Sequence, residues 1–509
     1  MHTSGDSKRI AKNTVMLYIR MLFMMAISLY TSRVILQTLG VVDYGIYNVV
    51  WGVATMFSFL NAALSSSTQR YLTFELGGGN SSRLRDVFCT SVNLHAALSV
   101  VIALLIETVG LWFLYNKLSI PPERFHAAVV TFHLSVVTTV ILVMNVPYMA
   151  AIIAHEKMQA FAYLSVIEAI LKLAIVYLLL ISPIDKLILY VTLYTIVQGS
   201  VNLIYRWYCV RHFEETEYRF ILKKKLFKEM LGFSGWNLFG NLAVTGFSQG
   251  VDILLNLFFG PAVNAARGIA NQVQGAVRQF SGNFQVALNP QITKSYASGE
   301  MDYMHRLIFA SSKYSFFLLW FLSLPLMLEI EQVLSWWLTT VPAHTAAFVV
   351  LMLLIGIIDA LANPLIQGAS ATGHVRKYQA TLGTLLLLIV PFSYVALKLG
   401  CPPEGVLVVH LVMVVFTQCV RLLLLRPMIS FSIRAYARQA VVPIVVVGVV
   451  SLICPAAVRF SMPEGFVRFL CVCLCSVLST GLCIYFLGLT SGERTMINGK
   501  LRSLLKRAV

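Results

Sequence analysis

The chain has 509 residues, of which 58% are hydrophobic and only 12% are charged, and its mean hydropathy is +0.78. A soluble globular protein carries about 25% charged residues, so this composition excludes a soluble protein and indicates a chain that crosses a membrane many times. The net charge of +17 would suit a nucleic-acid binder, but its distribution along the chain argues against that class.

Apolar runs of about twenty residues predict an all-α integral membrane protein with about 14 transmembrane helices. The first run contains Arg20 and is too long for a signal peptide, so it is interpreted as the first span. The predicted spans are 14–36, 43–65, 87–114, 126–153, 160–182, 185–207, 231–258, 262–286, 309–330, 345–368, 379–398, 403–425, 439–457 and 465–488.

Basic residues concentrate on the side of the membrane that holds both predicted termini. Most of the 39 Lys and Arg residues fall on that side or at the span ends that face it, and few fall in the opposite loops. The positive-inside rule therefore predicts cytoplasmic termini. The surplus of positive charge is explained by topology, and no nucleic-acid partner is expected.

No motif predicts a cofactor, a metal site or a catalytic centre. Cys471, Cys473 and Cys475 alternate along a predicted helix, so they do not share one face as metal ligands would. The sequence lacks a G-x-x-x-x-G-K-[ST] phosphate loop, so ATP hydrolysis is not expected. His133 and His410 occur singly in apolar runs and are interpreted as core residues. We therefore expect a protein that is not an enzyme.

Weak internal repetition predicts two related halves. Gly40 and Gly77 precede and follow one polar helix, and Gly260 and Gly299 do the same about 220 residues later. The predicted domains are an N-terminal six-helix lobe at 1–210, a basic cytoplasmic linker at 211–230, a C-terminal six-helix lobe at 231–428, and a terminal helix pair with a basic tail at 429–509. Repeated halves of this kind are typical of transporters with a substrate site at their interface.

The predicted eighth helix, which begins at Pro261, carries a polar stripe at helical spacing. Its members are Asn264, Arg267, Asn271, Gln274, Arg278 and Gln285. Each arginine at mid-membrane costs about 2.5–3.5 kcal/mol on insertion scales, so the stripe is not expected to face lipid. The stripe predicts a water-filled, cationic cavity within the helix bundle.

The preceding helix has a stripe of its own, and the two stripes together predict a shared polar cavity. Its members are Asn237, Asn241, Thr245, Ser248, Asp252 and Asn256. A hydrogen-bonded seam between two helices is the structural alternative. In the first half, Arg20 and Arg33 point about 140° apart on one helix, so one of them is expected to line the cavity and the other to snorkel or pair.

Carboxyl groups within spans are candidates for coupling transport to H⁺ or Na⁺. These candidates are Asp252, Asp359 and Glu107, although Asp252 would equally serve as the counter-ion of an arginine. Asp359 precedes Pro364 by about one turn, where the proline frees a backbone carbonyl. Glu168 and Lys172 are spaced i, i+4 and are predicted to neutralise each other.

The run SRVILQTLGVVDYGIY from Ser32 to Tyr47 is similar to the start of the Wzx-like polysaccharide and O-antigen flippases. These proteins belong to the multidrug/oligosaccharidyl-lipid/polysaccharide exporter superfamily. The arginine, the Leu-Gly turn and the Tyr-Gly-x-Tyr group stand in the family's order, and twelve helices plus a terminal pair extend the resemblance over essentially the whole chain. It implies two six-helix lobes around a cationic central cavity.

The resemblance also implies transfer of undecaprenyl-diphosphate-linked oligosaccharide from the cytoplasmic to the periplasmic leaflet of the bacterial inner membrane. By position and chemistry, Arg33, Arg267 and Arg278 would receive the diphosphate, since guanidinium groups bind phosphate through two parallel hydrogen bonds. Amides donate and accept hydrogen bonds, as sugar hydroxyls require. The amide candidates are Asn237, Asn241, Asn264, Asn271 and Gln274.

Other functions remain open at the level of sequence. A lipid II flippase of peptidoglycan synthesis has the same helix count and a cationic cavity, whereas a cation-coupled multidrug antiporter should have more acidic residues. A membrane glycosyltransferase or O-antigen ligase would need an acidic metal motif or a large outer loop. The expected partners are the lipid-linked glycan, membrane lipids, H⁺ or Na⁺, and a polysaccharide polymerase or chain-length machinery.

Overall fold

The computed structural model describes residues 3–55, 58–116, 120–221, 223–338, 341–495 and 498, which are helical throughout apart from short connections. Within these ranges the side chains at 3–12, 28–29, 32–33, 36, 41–42, 45, 48–49, 52–55, 58–60 and 261 also lie outside the description. The described residues contain no β-strand. The all-α fold class is therefore confirmed.

Seven helices of the described residues precede the central linker. They are α1 (Thr3–Thr55), α2 (Ser58–Gly78), α3 (Ser81–Leu105), α4 (Leu111–Asn116), α5 (Phe125–Ala154), α6 (Met158–Ile181) and α7 (Lys186–His212). A single π-helical turn, Ile106–Gly110, joins α3 to α4, so that these elements form one membrane-length helix.

In the described part of the chain, eleven helices follow the linker. They are α8 (Lys224–Phe259), α9 (Pro261–Ala297), α10 (Met301–Leu328), α11 (Ile330–Trp337), α12 (Thr345–Ala371), α13 (Arg376–Leu387), α14 (Ile389–Lys398), α15 (Glu404–Met428), α16 (Ile433–Tyr436), α17 (Val442–Ser461) and α18 (Phe466–Cys483). π-Helical turns at Ala437–Val441 and Ile484–Gly488 precede α17 and follow α18. The helix predicted to begin at residue 231 begins one to two turns earlier, at Lys224.

Eleven helical segments of the described residues are long and apolar enough to cross a membrane. The count of fourteen is therefore not confirmed. The three predicted spans outside the eleven are 14–36, 43–65 and 262–286. The described apolar stretch of the first is the shorter helix Asn13–Ile27, and residues 56–57 of the second lie outside the description. In the third, the polar stripe on α9 lowers the hydropathy. A helix that faces a polar interior does not need the hydropathy that a lipid-facing helix needs.

Four glycines mark the internal repeat. Gly40 bends α1 with a φ of 76°, and Gly260 separates α8 from α9 with a φ of 82°. Gly79 and Gly299, with φ values of 69° and 77°, end the helices that follow. Each pair is separated by 39 residues, so the first-half counterpart of Gly299 is Gly79 rather than the predicted Gly77. Only glycine adopts these left-handed conformations without steric cost.

The chain divides into two compact units. Unit 1 comprises residues 1–242, 286–300 and 373–380, and unit 2 comprises 243–285, 301–372 and 381–509. The basic linker between α7 and α8 belongs to unit 1, where hydrogen bonds join it to α3 and to the turn after α5. Tyr218 donates to Asn93 over 2.8 Å, and His155 bonds to Glu215 over 2.5 Å.

Unit 1 contains a buried carboxylate that joins three helices. Glu156 lies in the turn between α5 and α6 with a φ of 58°, and its side chain is 1% exposed. Gln291 donates to it over 2.5 Å, and the Lys294 ammonium lies 2.6 Å away. Asn13 of α1 donates to the Glu156 backbone carbonyl over 3.3 Å. The network fastens the end of α9 to the N-terminal helices.

We expect Glu156→Ala to lower the stability of the protein by about 3 kcal/mol, because removal of one partner leaves a partly buried ammonium without compensation. The measurement is the apparent unfolding temperature of the purified protein in detergent. Glu156→Gln is the matched control. It keeps the shape and a partner for Gln291, so its loss should be smaller. Equal stability of wild type and the alanine variant would contradict the structural role.

In unit 2 the terminal helices α17 and α18 are fastened along α10. Trp320 donates to the Ser451 hydroxyl over 2.8 Å, and the buried Arg468 guanidinium lies 3.0 Å from Glu329, just beyond the end of α10. Gly488 allows the end of this pair to come close, since a Cβ there would stand 2.6 Å from the Phe317 ring. The terminal pair is therefore an integral part of unit 2.

Candidate functional site

A polar cavity of about 150 Å³ lies within unit 2, among α8, α9, α12, α13 and α15. Its charged and titratable lining residues are Arg278, Asp359, His410 and Arg421. The other lining residues are Val244, Phe247, Ala362, Asn363, Ile366, Leu386, Val414 and Thr417. Two guanidinium groups and one carboxylate thus share a small space, which leaves the cavity cationic.

Each charged residue of this cavity is positioned by its helix. Arg278 is exposed on α9, whereas Arg421 is buried on α15 and donates to Gln418. Both arginines act electrostatically on Asp359 of α12. His410 lies 4.9 Å, centroid to centroid, from the Phe247 ring in a T-shaped arrangement. Guanidinium groups in such a partly apolar space bind an anionic oxygen more strongly than they would in water.

Arg267 occupies a different environment from Arg278, although both lie on the α9 stripe. It is 1% exposed, and its Nη1 lies 2.8 Å from Asp252 Oδ1 and 3.2 Å from the Ser248 carbonyl. Asp252 was interpreted either as a carboxyl that couples transport to an ion or as the counter-ion of an arginine, and this geometry favours the counter-ion. The pair joins α8 to α9 within unit 2.

Two further members of the stripe form hydrogen bonds to α12. Gln274 donates to the Met352 carbonyl over 2.5 Å, and Gly356 leaves room for it, because a Cβ there would stand 3.1 Å from Gln274 Cγ. Gln285 donates over 2.9 Å to the Ala360 carbonyl, whose intrahelical partner is missing because Pro364 has no N–H. The carbonyl freed by the proline is thus satisfied by a side chain. The stripe serves partly as a helix seam and partly as a cavity wall.

The remaining predicted amides are distributed over both units. Asn271 is exposed and Asn264 is half-buried on the part of α9 that lies in unit 2. Asn237 and Asn241 lie in unit 1, where Asn237 is buried and accepts a hydrogen bond from Gln379 over 2.8 Å. The structure therefore places these four amides outside the cavity lined by Arg278.

The candidates in the first half have separate surroundings. The side chain of Arg33 lies outside the described residues, whereas Arg20 stacks on the Phe161 ring at 4.4 Å in unit 1. Glu107 accepts a hydrogen bond from His133 over 3.0 Å. His133 is half exposed, so its interpretation as a core residue was wrong.

The predicted neutralising pair is confirmed by the structure. Lys172 Nζ lies 2.7 Å from Glu168 Oε1, one turn away on α6. The same carboxylate oxygen accepts a hydrogen bond from Gln198 over 3.2 Å. This pair is therefore fully engaged with its neighbours on α6 and α7.

Sequence reasoning missed Arg421, and it interpreted His410 as a core residue, which is buried as expected but also lines the cavity. A signal for both was present, because His410, Thr417 and Arg421 are separated by 7 and 4 residues and so lie on one face of α15. An arginine within an apolar span on a face shared with a histidine indicates a polar interior.

Comparison with solved structures shows the fold of a known transporter superfamily. The outward-facing conformation of a multidrug resistance MATE family transporter of the MOP superfamily is similar, with a TM-score of 0.70 at 14% identity over 84% of this chain and 99% of that chain. The MATE P26A mutant gives a TM-score of 0.72 at 14% identity over 86% and 100%.

A third structure carries a description that concerns charge. It is a MOP superfamily transporter from Pyrococcus furiosus, described as having a binding pocket of reverse polarity that suggests a different function. Its TM-score is 0.67 at 15% identity, over 84% of this chain and 99% of that chain. At these identities the likeness establishes the fold alone, which is that of a multi-pass membrane transporter.

The sequence itself is placed by a family model. No curated protein matches the chain. The model described as polysaccharide biosynthesis protein matches residues 10–296, which is more than half of the chain. The chain therefore belongs to the polysaccharide biosynthesis protein family.

Proposed function

We propose that this protein is a flippase that carries an undecaprenyl-diphosphate-linked oligosaccharide, such as an O-antigen or other surface polysaccharide repeat unit, from the cytoplasmic to the periplasmic leaflet by alternating access. The observation that carries the proposal is the cationic cavity lined by Arg278 and Arg421 in a transporter of the polysaccharide family. The family supplies the class of substrate, and the cavity supplies a chemistry that suits its diphosphate.

The physical problem in such transport is the charge of the diphosphate. A polyprenyl tail remains soluble in the bilayer, but the phosphates need compensation along the whole path. Arg278 is exposed on α9 and so is available to a phosphate, whereas Arg421 is buried and donates to Gln418. Exposed amides such as Asn271 suit the sugars.

The charge of the cavity also separates the flippase from a drug antiporter of the same fold. An antiporter for organic cations needs an acidic site, whereas this cavity contains two arginines and one carboxylate. We propose that the two lobes are residues 1–210 and 231–428, that both termini are cytoplasmic and that the protein resides in the bacterial inner membrane. The concentration of basic residues on the terminus side supports this orientation.

Transport of lipid-linked glycans in proteoliposomes tests the function. The wild type is reconstituted with a fluorescent undecaprenyl-diphosphate oligosaccharide, with lipid II, or with a cationic dye, and empty vesicles serve as the control. We expect protein-dependent transfer of the oligosaccharide and no uptake of the dye. Dye uptake driven by a pH gradient, without glycan transfer, would contradict the flippase proposal and indicate a cation-coupled antiporter. Transfer of lipid II alone would assign the peptidoglycan pathway.

We propose Asp359 as the coupling carboxyl among the three candidates, because it lies in the cavity beside Arg278 and Arg421. Asp252 is paired with Arg267, and Glu107 is bonded to His133.

We expect Asp359→Asn to remove the stimulation of transfer by a pH gradient, because an amide does not take up a proton. Glu107→Gln is the matched control and should retain the stimulation. The same gradient dependence in Asp359→Asn and wild type would contradict this assignment.

A further inference from the structure

A second cavity, of about 440 Å³, lies in unit 2 beside the terminal helix pair. It is formed where α10, the π-helical turn Ala437–Val441 and the segment after Gly488 come together. Its volume is within the range of small-molecule sites in proteins. Nothing in the proposed transport cycle uses this cavity, since its lining residues differ from those around Arg278.

One charge of this cavity is already compensated. Lys313 is 4% exposed, and its ammonium lies 2.8 Å and 3.0 Å from the two carboxylate oxygens of Glu493. Tyr314 donates to the same carboxylate over 2.5 Å, and the Thr490 backbone N–H donates over 2.7 Å. Burial raises the pKa of Glu493, but the hydrogen bonds from Lys313 and Tyr314 outweigh it and hold the pKa below its ordinary value. Glu493 is therefore ionised and offsets the charge of Lys313.

Two further guanidinium groups line the cavity. Arg306 comes from the first turns of α10, and Arg438 comes from the π-helical turn before α17. Both residues are exposed. Lys313 and Glu493 neutralise each other, so the two arginines leave the lining with a net charge of two positive charges. Such an arrangement favours a phosphate-bearing ligand.

The rest of the lining is apolar and decides between a lipid and a free anion. Phe309, Pro443, Leu487 and Leu489 form the wall beside the arginines. A free phosphate gains nothing from such a wall, whereas the glycerol and first acyl carbons of a phospholipid bury apolar surface against it. Basic pockets between transmembrane helices at the cytoplasmic side bind anionic lipid head groups. In the orientation proposed above, this cavity lies at the cytoplasmic side.

We propose that the cavity between α10 and the terminal helix pair binds the head group of an anionic glycerophospholipid from the cytoplasmic leaflet, through Arg306 and Arg438. The phosphate lies between the two guanidinium groups, and the acyl chains extend along the apolar wall. This site is distinct from the cavity around Arg278. It gives the terminal helix pair a ligand of its own.

Native mass spectrometry of delipidated protein titrated with phosphatidylglycerol tests the proposal without any transport assay. The variants are Arg306→Gln with Arg438→Gln, and the matched control is Arg434→Gln, which removes an exposed arginine one turn before Arg438 outside the cavity lining. We expect one tightly retained phosphatidylglycerol in the wild type and in the control. In the double variant its affinity should fall at least about tenfold, as expected for loss of two charge-assisted contacts.

Three results would overturn the proposal. The first is equal retention by wild type and the double variant, and the second is an equal loss in Arg434→Gln, which would show an effect of net charge alone. The third is displacement of the lipid by glycerol phosphate at equal concentration, which would indicate a site for a free anion. Phosphatidylethanolamine is the lipid control, and its retention should be unchanged by the substitutions. Since all three arginines are exposed, the variants should keep the fold.

Discussion

Replacing Arg278 by alanine is expected to lower the rate of glycan transfer by about 10- to 100-fold while the protein stays folded. Arg278 is exposed on α9 and lines the cavity that contains Asp359 and Arg421, so its loss removes a phosphate ligand while Arg421 remains beside Asp359. A hydrogen bond to a charged group contributes about 1.5–3 kcal/mol, and each 1.4 kcal/mol corresponds to a factor of ten.

The measurement is the initial rate of transfer of the fluorescent lipid-linked oligosaccharide in proteoliposomes, with the apparent unfolding temperature taken on the same preparation. Arg278→Lys keeps the charge but loses the planar fork, so its rate should fall between those of wild type and alanine variant. Arg434→Ala removes an arginine outside this cavity and should leave the rate unchanged. A wild-type rate in Arg278→Ala would exclude the cavity from the transport path.

The second large effect is expected on stability rather than transport. Asp252→Ala should destabilise the protein by roughly 3 kcal/mol, because Arg267 is 1% exposed and would keep its charge without a partner. This loss of stability is at the low end of the range for broken buried ion pairs, because the Asp252 side chain is 32% exposed and water reaches that end of the pair.

A double replacement separates the lost charge pair from lost packing. Asp252→Leu with Arg267→Met removes both charges and should recover most of the stability that Asp252→Ala loses, as apolar replacements of buried pairs often do. Apparent unfolding temperatures of the three proteins in detergent provide the comparison. Should the double variant also transfer glycan normally, neither residue would be a ligand of the substrate or the coupling ion. A double variant less stable than Asp252→Ala would contradict the structural account of the pair.

Much of the architecture could be predicted because hydrophobic periodicity and turn chemistry are local. The bend at Gly40 and the break at Gly260 require left-handed backbone, which glycine permits, and both were located from sequence. The polar stripe on α9 was also located, since its spacing of three and four residues is a property of one helix.

The sequence could not predict which residues of that stripe contact a neighbouring helix and which are exposed. Gln274 and Gln285 contact α12 and Arg267 contacts α8, whereas Asn271 and Arg278 are exposed. Periodicity gives the direction of a side chain around its own helix but not the identity of the helix opposite. Arg421 could have been recognised from its spacing on α15, but the sequence does not show that α9 and α12 lie opposite that face.

The attachment of the terminal helix pair limits how the protein can be shortened. A chain cut after Met428 would lose the partners of Lys313, Trp320 and Glu329, each of which is buried against α17, α18 or the segment that follows them. Polar groups without partners on a surface newly opened to lipid are strongly unfavourable. A working twelve-helix version would therefore need apolar residues at these three positions, and deletion of the pair alone would not yield the minimal transporter.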